Sequence, residues 1–465
     1  MNESTYLTRS SVLFRSVLND LKRDPASAAR ELGIPLPAVE EVLRGRRALS
    51  PEELARAVRT WPVNERDFFP VHDDAPAGVR VMRAAESAAT SRVLRRGGRD
   101  YYEYRDTAMS RVSMFRPEWI RMIQPVGDND PENPDVEWNN GHFLNQFTYF
   151  VGSVNYYYEW EGVRHCVPME TGDSVSGLPY APHSFAARNG EPALILALTY
   201  GGRLLGDAQH ELSALGPDLA AEYALDSADF PHAAAALLRT HLDNACVPPA
   251  ELARRSGLTA ERLDELLSGD AEASEAELAV LAGALRVNVR DLLPVVPDET
   301  DGVRIVRAAD ARAWSYPDDR RPDYRVTELA GTLVCPNSRG LRIEVLGDGE
   351  TALRAGLHTY LYNLGPEPVR FSWDHGGRTD RTELAAGDSA YLKPFVPHRF
   401  GVVTPGRPGT VLVLRIGGKV CGDALLEASA VGAEAVRRLV TDDEQWYDPR
   451  GRNPARAATS AGGAG

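Results

Sequence analysis

"GDSVSGLPYAPHSF" (Gly172–Phe185) occurs a second time, as "GDSAYLKPFVPHRF" (Gly387–Phe400), shifted by 215 positions. In each copy a Gly-Asp turn precedes a short run of strand-forming residues, and a Pro-His pair opens the next run. This is the punctuation of short antiparallel strands, and it predicts two small barrels or jelly rolls. Upstream, "ARELGIPLPAVEEVLRG" (Ala29–Gly45) reappears as "ARRSGLTAERLDELLSG" (Ala253–Gly269), shifted by 224. "RDFFP" (Arg66–Pro70) recurs as "RDLLP" (Arg290–Pro294), and "GVRVMRAAE" (Gly78–Glu86) as "GVRIVRAAD" (Gly302–Asp310), at the same shift. Four matches in one order make the chain a tandem duplication. Apolar residues at helical spacing, broken by a Gly turn, give the upstream repeats helix-turn-helix character. The expected order is a helical unit over 1–76, a barrel over 77–215, a second helical unit over 216–298 and a second barrel over 299–447. The barrels proper should run from Val79 to Asp207 and from Val303 to Asp423, and the Pro/Gly/Ala-rich tail 448–465 should be disordered.

Composition narrows the function. The 465 residues carry Lys+Arg 52 against Asp+Glu 66, a net charge of −14, which suits neither a phosphate backbone nor an anionic membrane surface. Four scattered cysteines (Cys166, Cys246, Cys335, Cys421) form no CxxC pair and predict reduced thiols in the cytoplasm. No segment has the length and apolarity of a membrane span. A small molecule is the expected partner, with no nucleic acid and no membrane; a homodimer is compatible with the sequence.

The candidate site lies in "NNGHFLNQFTYFV" (Asn139–Val151). His142 and Gln146 are four apart, so on a strand both side chains point to one face. "P-x-x-PH-x-F" with His183 resembles the second metal-binding segment of the cupin barrels. Two histidines and one further donor leave open positions on an octahedral ion, a pattern suited to non-haem Fe(II). Gln146 is either the third ligand or an outer hydrogen-bonding partner. The second copy is an internal control: matching "TYFVGSV…W" to "TYLYNLG…W" sets Leu353 and Leu357 opposite His142 and Gln146, and only His398 remains, opposite His183. The second barrel is therefore expected to be degenerate and metal-free.

A helix-turn-helix unit joined to a cupin with "NNGHFLNQF" resembles the phosphonate-processing non-haem iron enzymes, among them 2-hydroxyethylphosphonate dioxygenase and methylphosphonate synthase. The resemblance spans nearly the whole chain and implies a mainly β fold with α: a tandem repeat of helical unit plus cupin (jelly-roll) barrel. It implies Fe(II) on His142, Gln146 and His183, with a phosphonate and O2 as the small-molecule partners. Asn139, Arg96, Tyr104 and neighbouring Tyr102, Lys22 and Thr199 fall on substrate-binding positions of the family. No catalytic residue beyond the iron site and these positioning groups is implied. One departure stands out: some of the dioxygenases place a glutamate ligand six residues before the second histidine, where this chain has Gly177. The implied reaction is C–C cleavage of 2-hydroxyethylphosphonate to hydroxymethylphosphonate and formate, without 2-oxoglutarate. The alternative is methylphosphonate synthase chemistry on the same substrate.

Two readings of other classes compete. A helix-turn-helix cupin regulator needs cationic or amide side chains on its recognition helix, yet "PLPAVEEVLRGRRALS" and "TAERLDELLSGDAEAS" are acidic there. A cupin isomerase or storage protein predicts no O2 consumption. If the helical units exchange barrels within one chain, Cys246 takes the place of Lys22 over the iron barrel, so Lys22 acts either in an unexchanged chain or from a second chain.

Overall fold

The computed structural model describes residues 2–113, 115–225, 229–442 and 444–446; the expected disordered tail 448–465 lies outside them. The chain divides into two compact units, one of Met1–Arg80, Ser110–Ser113 and Gly418–Gly465, the other of Val81–Met109 and Met114–Gly417.

In the first unit, helices Glu3–Asp20, Pro25–Leu32, Leu36–Leu43 and Pro51–Thr60 surround Phe14, Leu18, Leu32, Val39, Val42 and Trp61. Local chemistry sets their ends. Asp24 caps the second helix by accepting from Ser27 N, with Pro25 in the first turn, where its missing N–H costs nothing. Gly33, at φ 64°, closes that helix in the left-handed conformation and turns the chain into the third.

The second unit holds the other helical repeat and both strand-rich repeats. Helices Phe230–Ala245, Pro249–Ser256, Ala260–Ser268 and Glu275–Leu285 enclose Leu238, Leu252, Leu263, Leu281 and Leu285. One seven-stranded sheet runs in the order Val303–Val306, Ser174–Gly177, Asn145–Val151, Leu194–Tyr200, Phe115–Met122, Arg99–Asp106, Arg92–Arg96. It is accompanied by a three-stranded sheet of Val163–Met169, Val154–Trp160 and His183–Ala187. Their shared core includes Tyr102, Ile120, Phe150, Tyr156, Val175 and Ile195. A second pair of sheets repeats the order, with His358–Asn363 in the place of Asn145–Val151 and His398–Val402 in the place of His183–Ala187.

This departs from the expected partition at 77–215 and 299–447. Strand Val303–Val306 follows the second helical repeat yet pairs with Ser174–Gly177 of the first sheet, and Val81–Met82, the part of the matching strand that lies in this unit, stands beside Ser389–Leu392 of the second. The two strands come from near-identical segments, so their pattern cannot say which sheet each joins. Two buried aspartates in the Gly-Asp turns accept the incoming chain. Asp173, 4% exposed, accepts from Arg307 Nη1 and from Ala308 N, both at 2.8 Å. Asp388 accepts from Arg83 Nη1 at 2.7 Å and from Ala84 N at 2.8 Å. A carboxylate removed from water this far is tolerable only when charge-paired and hydrogen-bonded.

Asp173→Ala is therefore expected to destabilise the chain by roughly 2–4 kcal/mol, since it removes the acceptor of the Ala308 and Glu170 N–H groups and the counter-charge of a partly exposed arginine. Asp388→Ala should cost a similar amount. Denaturant unfolding of both variants measures this, and losses below about 0.5 kcal/mol would contradict a locking role.

Candidate metal centre

Gln146 lies on Asn145–Val151 between two strands, opposite Gly177 on one side and Thr199 on the other. Two residues along, Thr148 points the same way and is fully buried. The Gln146 amide Nε2 donates to Thr148 Oγ1 at 3.0 Å, which fixes the amide so that Oε1 faces His142 Nε2 at 3.0 Å. Sequence reasoning missed Thr148, although a hydroxyl two residues after Gln146 on a strand was its signal. His142 sits in the irregular run before the strand. There Gly141 takes φ 71°, and a Cβ would fall 2.3 Å from the Tyr180 carbonyl oxygen, so only glycine fits.

Both imidazoles are held the same way. His142 Nδ1 lies 2.9 Å from the Leu144 carbonyl oxygen, and His183 Nδ1 lies 2.9 Å from that of Ala181. A carbonyl oxygen only accepts, so Nδ1 carries the proton in each ring and the Nε2 lone pair is turned inward. The rings stand 5.1 Å apart at 86°. His142 Nε2 thus meets Gln146 Oε1 lone pair to lone pair, an arrangement that a shared cation or proton relieves. Burial lowers the His183 pKa to about 4, with the charges of His142 and Arg96 adding to the effect, so this imidazole is neutral near pH 7 and able to ligate. Among the described residues no three His, Cys, Asp or Glu side chains are grouped so that they could hold a metal ion by themselves. The donor set at hand is two imidazole nitrogens and one amide oxygen, at a small cleft lined also by Tyr156, Gly177, Leu178 and Tyr180. It fits a divalent ion of intermediate softness.

Further polar groups lie near the two histidines. Asn139 Oδ1 accepts from Gly141 N and His183 N, which aims Nδ2 at His183 Nε2, 3.0 Å away. Arg96 lies over the Tyr102 ring, 4.9 Å from its centroid, and donates to the Glu137 carbonyl oxygen at 2.9 Å. Its charge is felt at both His183 and Tyr104. The Tyr104 hydroxyl has no protein hydrogen-bond partner among the described residues, and burial raises its pKa, so it remains an O–H donor. Thr199, beside Gln146, donates to the Arg116 carbonyl oxygen at 3.2 Å.

Tyr102 departs from expectation. Its hydroxyl donates to Phe185 O at 3.0 Å, accepts from Phe185 N at 2.8 Å and lies 3.2 Å from Ser184 Oγ. That oxygen pins the strand bearing His183 and has no capacity left for a substrate. Lys22 belongs to the first unit, where its Nζ donates to Asn19 O at 2.9 Å and lies 5.1 Å from the Trp446 ring centroid. The structure brings together Arg96, Tyr104, Asn139, His142, Gln146, His183 and Thr199.

The second copy corrects the sequence matching. Tyr180 N donates to His142 O, and its counterpart Phe395 N donates to Ala355 O. Gln146 faces Gly177 and Thr199, whereas Thr359 faces Leu392 and Arg415. The residues opposite His142 and Gln146 are thus Ala355 and Thr359, and Leu353, bonded through its backbone to His398, stands opposite Asn139. The matching had slipped by two residues, which leaves every side chain on its original face and so leaves no trace in the pattern. Tyr102 has a counterpart in Tyr324, whose hydroxyl donates to Phe400 O and accepts from Phe400 N. The strand-pinning tyrosine is retained in both copies, while the imidazole of His142 and the amides of Gln146 and Asn139 are not.

No protein-family model matches the chain. It is 43% identical to methylphosphonate synthase of Nitrosopumilus maritimus over 455 residues, covering 97% of this chain and 98% of that protein. It is 25% identical to 2-hydroxyethylphosphonate dioxygenase (HEPD) of Streptomyces viridochromogenes over 433 residues, covering 86% of this chain and 85% of that one. Among solved structures, Streptomyces albus HEPD with 2-hydroxyethylphosphonate and Fe(II) bound superposes with a TM-score of 0.92 at 44% identity, covering 96% of this chain and 100% of that one.

The pairing of Gln146 with Gly177 generates a rescue experiment. A Cβ at Gly177 would make only ordinary contacts, 3.8 Å from the Tyr156 hydroxyl and 3.9 Å from Val303 Cγ1, so a glutamate there can reach the space Gln146 now fills. Gln146→Ala should lower divalent-metal affinity by at least the ~10–100-fold that loss of an outer partner costs. Adding Gly177→Glu should restore it. Calorimetric titration of both variants decides, and a double variant as weak as Gln146→Ala alone would contradict the shared position.

Proposed function

The chain belongs to the non-haem iron, phosphonate-processing family of 2-hydroxyethylphosphonate dioxygenase and methylphosphonate synthase, and on that premise we propose that it cleaves the C–C bond of 2-hydroxyethylphosphonate with O2. The observation that carries the reading is the convergence of His142 Nε2, His183 Nε2 and Gln146 Oε1 beside Arg96, Tyr104 and Asn139. In this reading His142, His183 and Gln146 hold Fe(II), and the duplicated halves are helical-plus-cupin repeats of which the second is metal-free. Bound Fe(II) supplies the site at which O2 is activated, with no 2-oxoglutarate.

The protein's own groups bind and orient the substrate. A phosphonate dianion needs several charge-assisted donors; in this reading Arg96 and the Tyr104 hydroxyl supply them, and Thr199 joins them only by giving up its bond to the Arg116 carbonyl oxygen. Asn139 adds a donor that depends on metal occupancy. Once His183 Nε2 gives its lone pair to the ion, the Asn139 Nδ2–H loses its acceptor and is left facing the ligand side, its carbonyl still pinned by two backbone N–H groups. Gln146 is neutral, so the ion keeps its full charge and favours an anionic, chelating substrate.

Two products balance the same reactants. Substrate and O2 give either methylphosphonate, carbon dioxide and water, or hydroxymethylphosphonate and formate. Identity of 43% to a methylphosphonate synthase, against 25% to the S. viridochromogenes dioxygenase, supports the methylphosphonate product over the dioxygenase outcome expected from the sequence. The dioxygenase remains the second reading, favoured by the 44% identity and TM-score of 0.92 to the S. albus enzyme. A DNA-binding role has less support: Arg44 is paired with Glu40, Arg47 with Glu53, and Arg262 with Glu265 and Glu277. Four cysteines that form no disulfide among the described residues support a reducing compartment, and no helix among the described residues is long and apolar enough to cross a membrane.

The test is anaerobic loading with Fe(II), then O2 with 2-hydroxyethylphosphonate, with products read by phosphorus NMR and formate assayed separately. Methylphosphonate without formate supports the first reading, and hydroxymethylphosphonate with formate supports the second. No turnover by iron-loaded protein would count against both. Arg96→Gln should raise KM for the phosphonate by about 10–100-fold, the equivalent of one charge-assisted hydrogen bond, while leaving metal affinity unchanged.

A further inference from the structure

One charged side chain inside the metal-bearing barrel has no part in the site described so far. Glu118 lies on Phe115–Met122, in phase with Ile120 and Met122 of the barrel core, and faces inward. Cross-strand register sets it in one row with Ala197 and Thr148, the next inward-facing row after that of Gln146 and Thr199. Thr148 is the residue that orients the Gln146 amide. A charge placed at His142 acts on the Glu118 carboxylate, and the Glu118 charge in turn raises the Tyr104 pKa. Arg92 donates to Glu118 Oε1 at 2.8 Å and to Asp106 Oδ1 at 2.7 Å, so two carboxylates share one guanidinium and the cluster keeps one surplus negative charge. Burial raises the Glu118 pKa, with Arg92 opposing, as expected of a carboxylate partly withdrawn from water.

The duplicated half again serves as a control. There Leu341 stands opposite Glu118, paired with Val413 as Glu118 is with Ala197, and Trp314 stands where Arg92 does, paired with Val326 as Arg92 is with Tyr104. The same barrel is thus built with an apolar pair in place of the ion pair, so the fold does not need the charges. They occur in the copy that keeps His142, Gln146 and Asn139.

We propose that Glu118 is a positioning residue of the metal centre, supplying a bound cation, from one strand row deeper, with the negative charge that neutral Gln146 withholds. Arg92 acts against it and sets how much of that charge is felt. The proposal rests on the metal reading of His142, Gln146 and His183, and the test separates the two.

Co(II), added alone to the full chain, is a redox-stable probe whose affinity is read by calorimetry and by its visible spectrum. Glu118→Gln should weaken Co(II) binding about three- to tenfold, the scale of a unit charge acting on a divalent ion through a partly screened interior. Arg92→Gln should tighten it, because it frees the carboxylate of its counter-charge. Glu132→Gln, an equal charge change at an exposed ion pair with Arg164, should leave it unchanged. Opposite directions for Glu118→Gln and Arg92→Gln cannot come from a merely structural ion pair, whose loss would weaken binding either way. If both weaken binding, or if Glu118→Gln matches the wild type, the proposal is overturned. If the wild type takes no Co(II), the metal reading itself fails, and this proposal with it. Should Glu118→Gln not fold, Arg92→Gln still decides, since weaker or equal binding there contradicts the proposed opposition.

Discussion

Two buried carboxylates hold the second unit's architecture in place. Asp173 and Asp388 each accept an arginine and a backbone N–H from the strand segment donated by the opposite repeat. Ser174–Gly177 immediately follows Asp173, and it is the strand against which Asn145–Val151 sets its register. The position of Gln146 opposite Gly177, and of Thr199 beyond it, follows from that pairing. A carboxylate this deep costs several kcal/mol if any partner is missing, so the exchange is geometrically demanding in both directions.

The barrel with the candidate metal centre shows a division of labour along the strand period. Every second residue faces inward, and successive inward rows carry different tasks: Gln146 and Thr199 at the cleft, Thr148 and Glu118 behind them, then Ile120, Phe150 and Ile195 as packing. Hydrogen bonds fix the orientation of each polar group before any ligand arrives. Nδ1 of both histidines is committed to a carbonyl, the Gln146 amide is committed to Thr148, and the Asn139 carbonyl is committed to backbone N–H groups. In the proposed reading, preorganisation of this kind lets neutral Gln146 serve as a third donor where a carboxylate is usual, because little orientational freedom is left to lose.

Duplication makes the chain its own comparison. Tyr102 and Tyr324 do the same work in both barrels, which separates a strand-pinning role from the substrate contact that proximity to Arg96 and Tyr104 suggested. Asp173 and Asp388 likewise match. By contrast Ala355, Thr359 and Leu353 replace His142, Gln146 and Asn139, and leave His398 with its Nε2 buried and without a hydrogen-bond partner among the described residues. What both copies share is scaffold, and what one copy lacks is chemistry.

Much was legible in the sequence because it is local. The Gly turn at Gly33, the Gly-Asp and Pro-His punctuation and the four-residue spacing of His142 and Gln146 each depend on neighbours within a few positions. Those features determined two helical and two strand-rich repeats, and which copy carries the candidate site. Tertiary structure alone decided which barrel receives Val81–Met82 and which receives Val303–Val306, that Ala355 and Thr359 stand opposite His142 and Gln146, and that Glu118 lies inside the barrel. The physical reason is common to all three. A strand's pattern of faces is unchanged by a two-residue slip or by exchange with a near-identical segment, so only the pairing of distant strands selects among equivalent patterns.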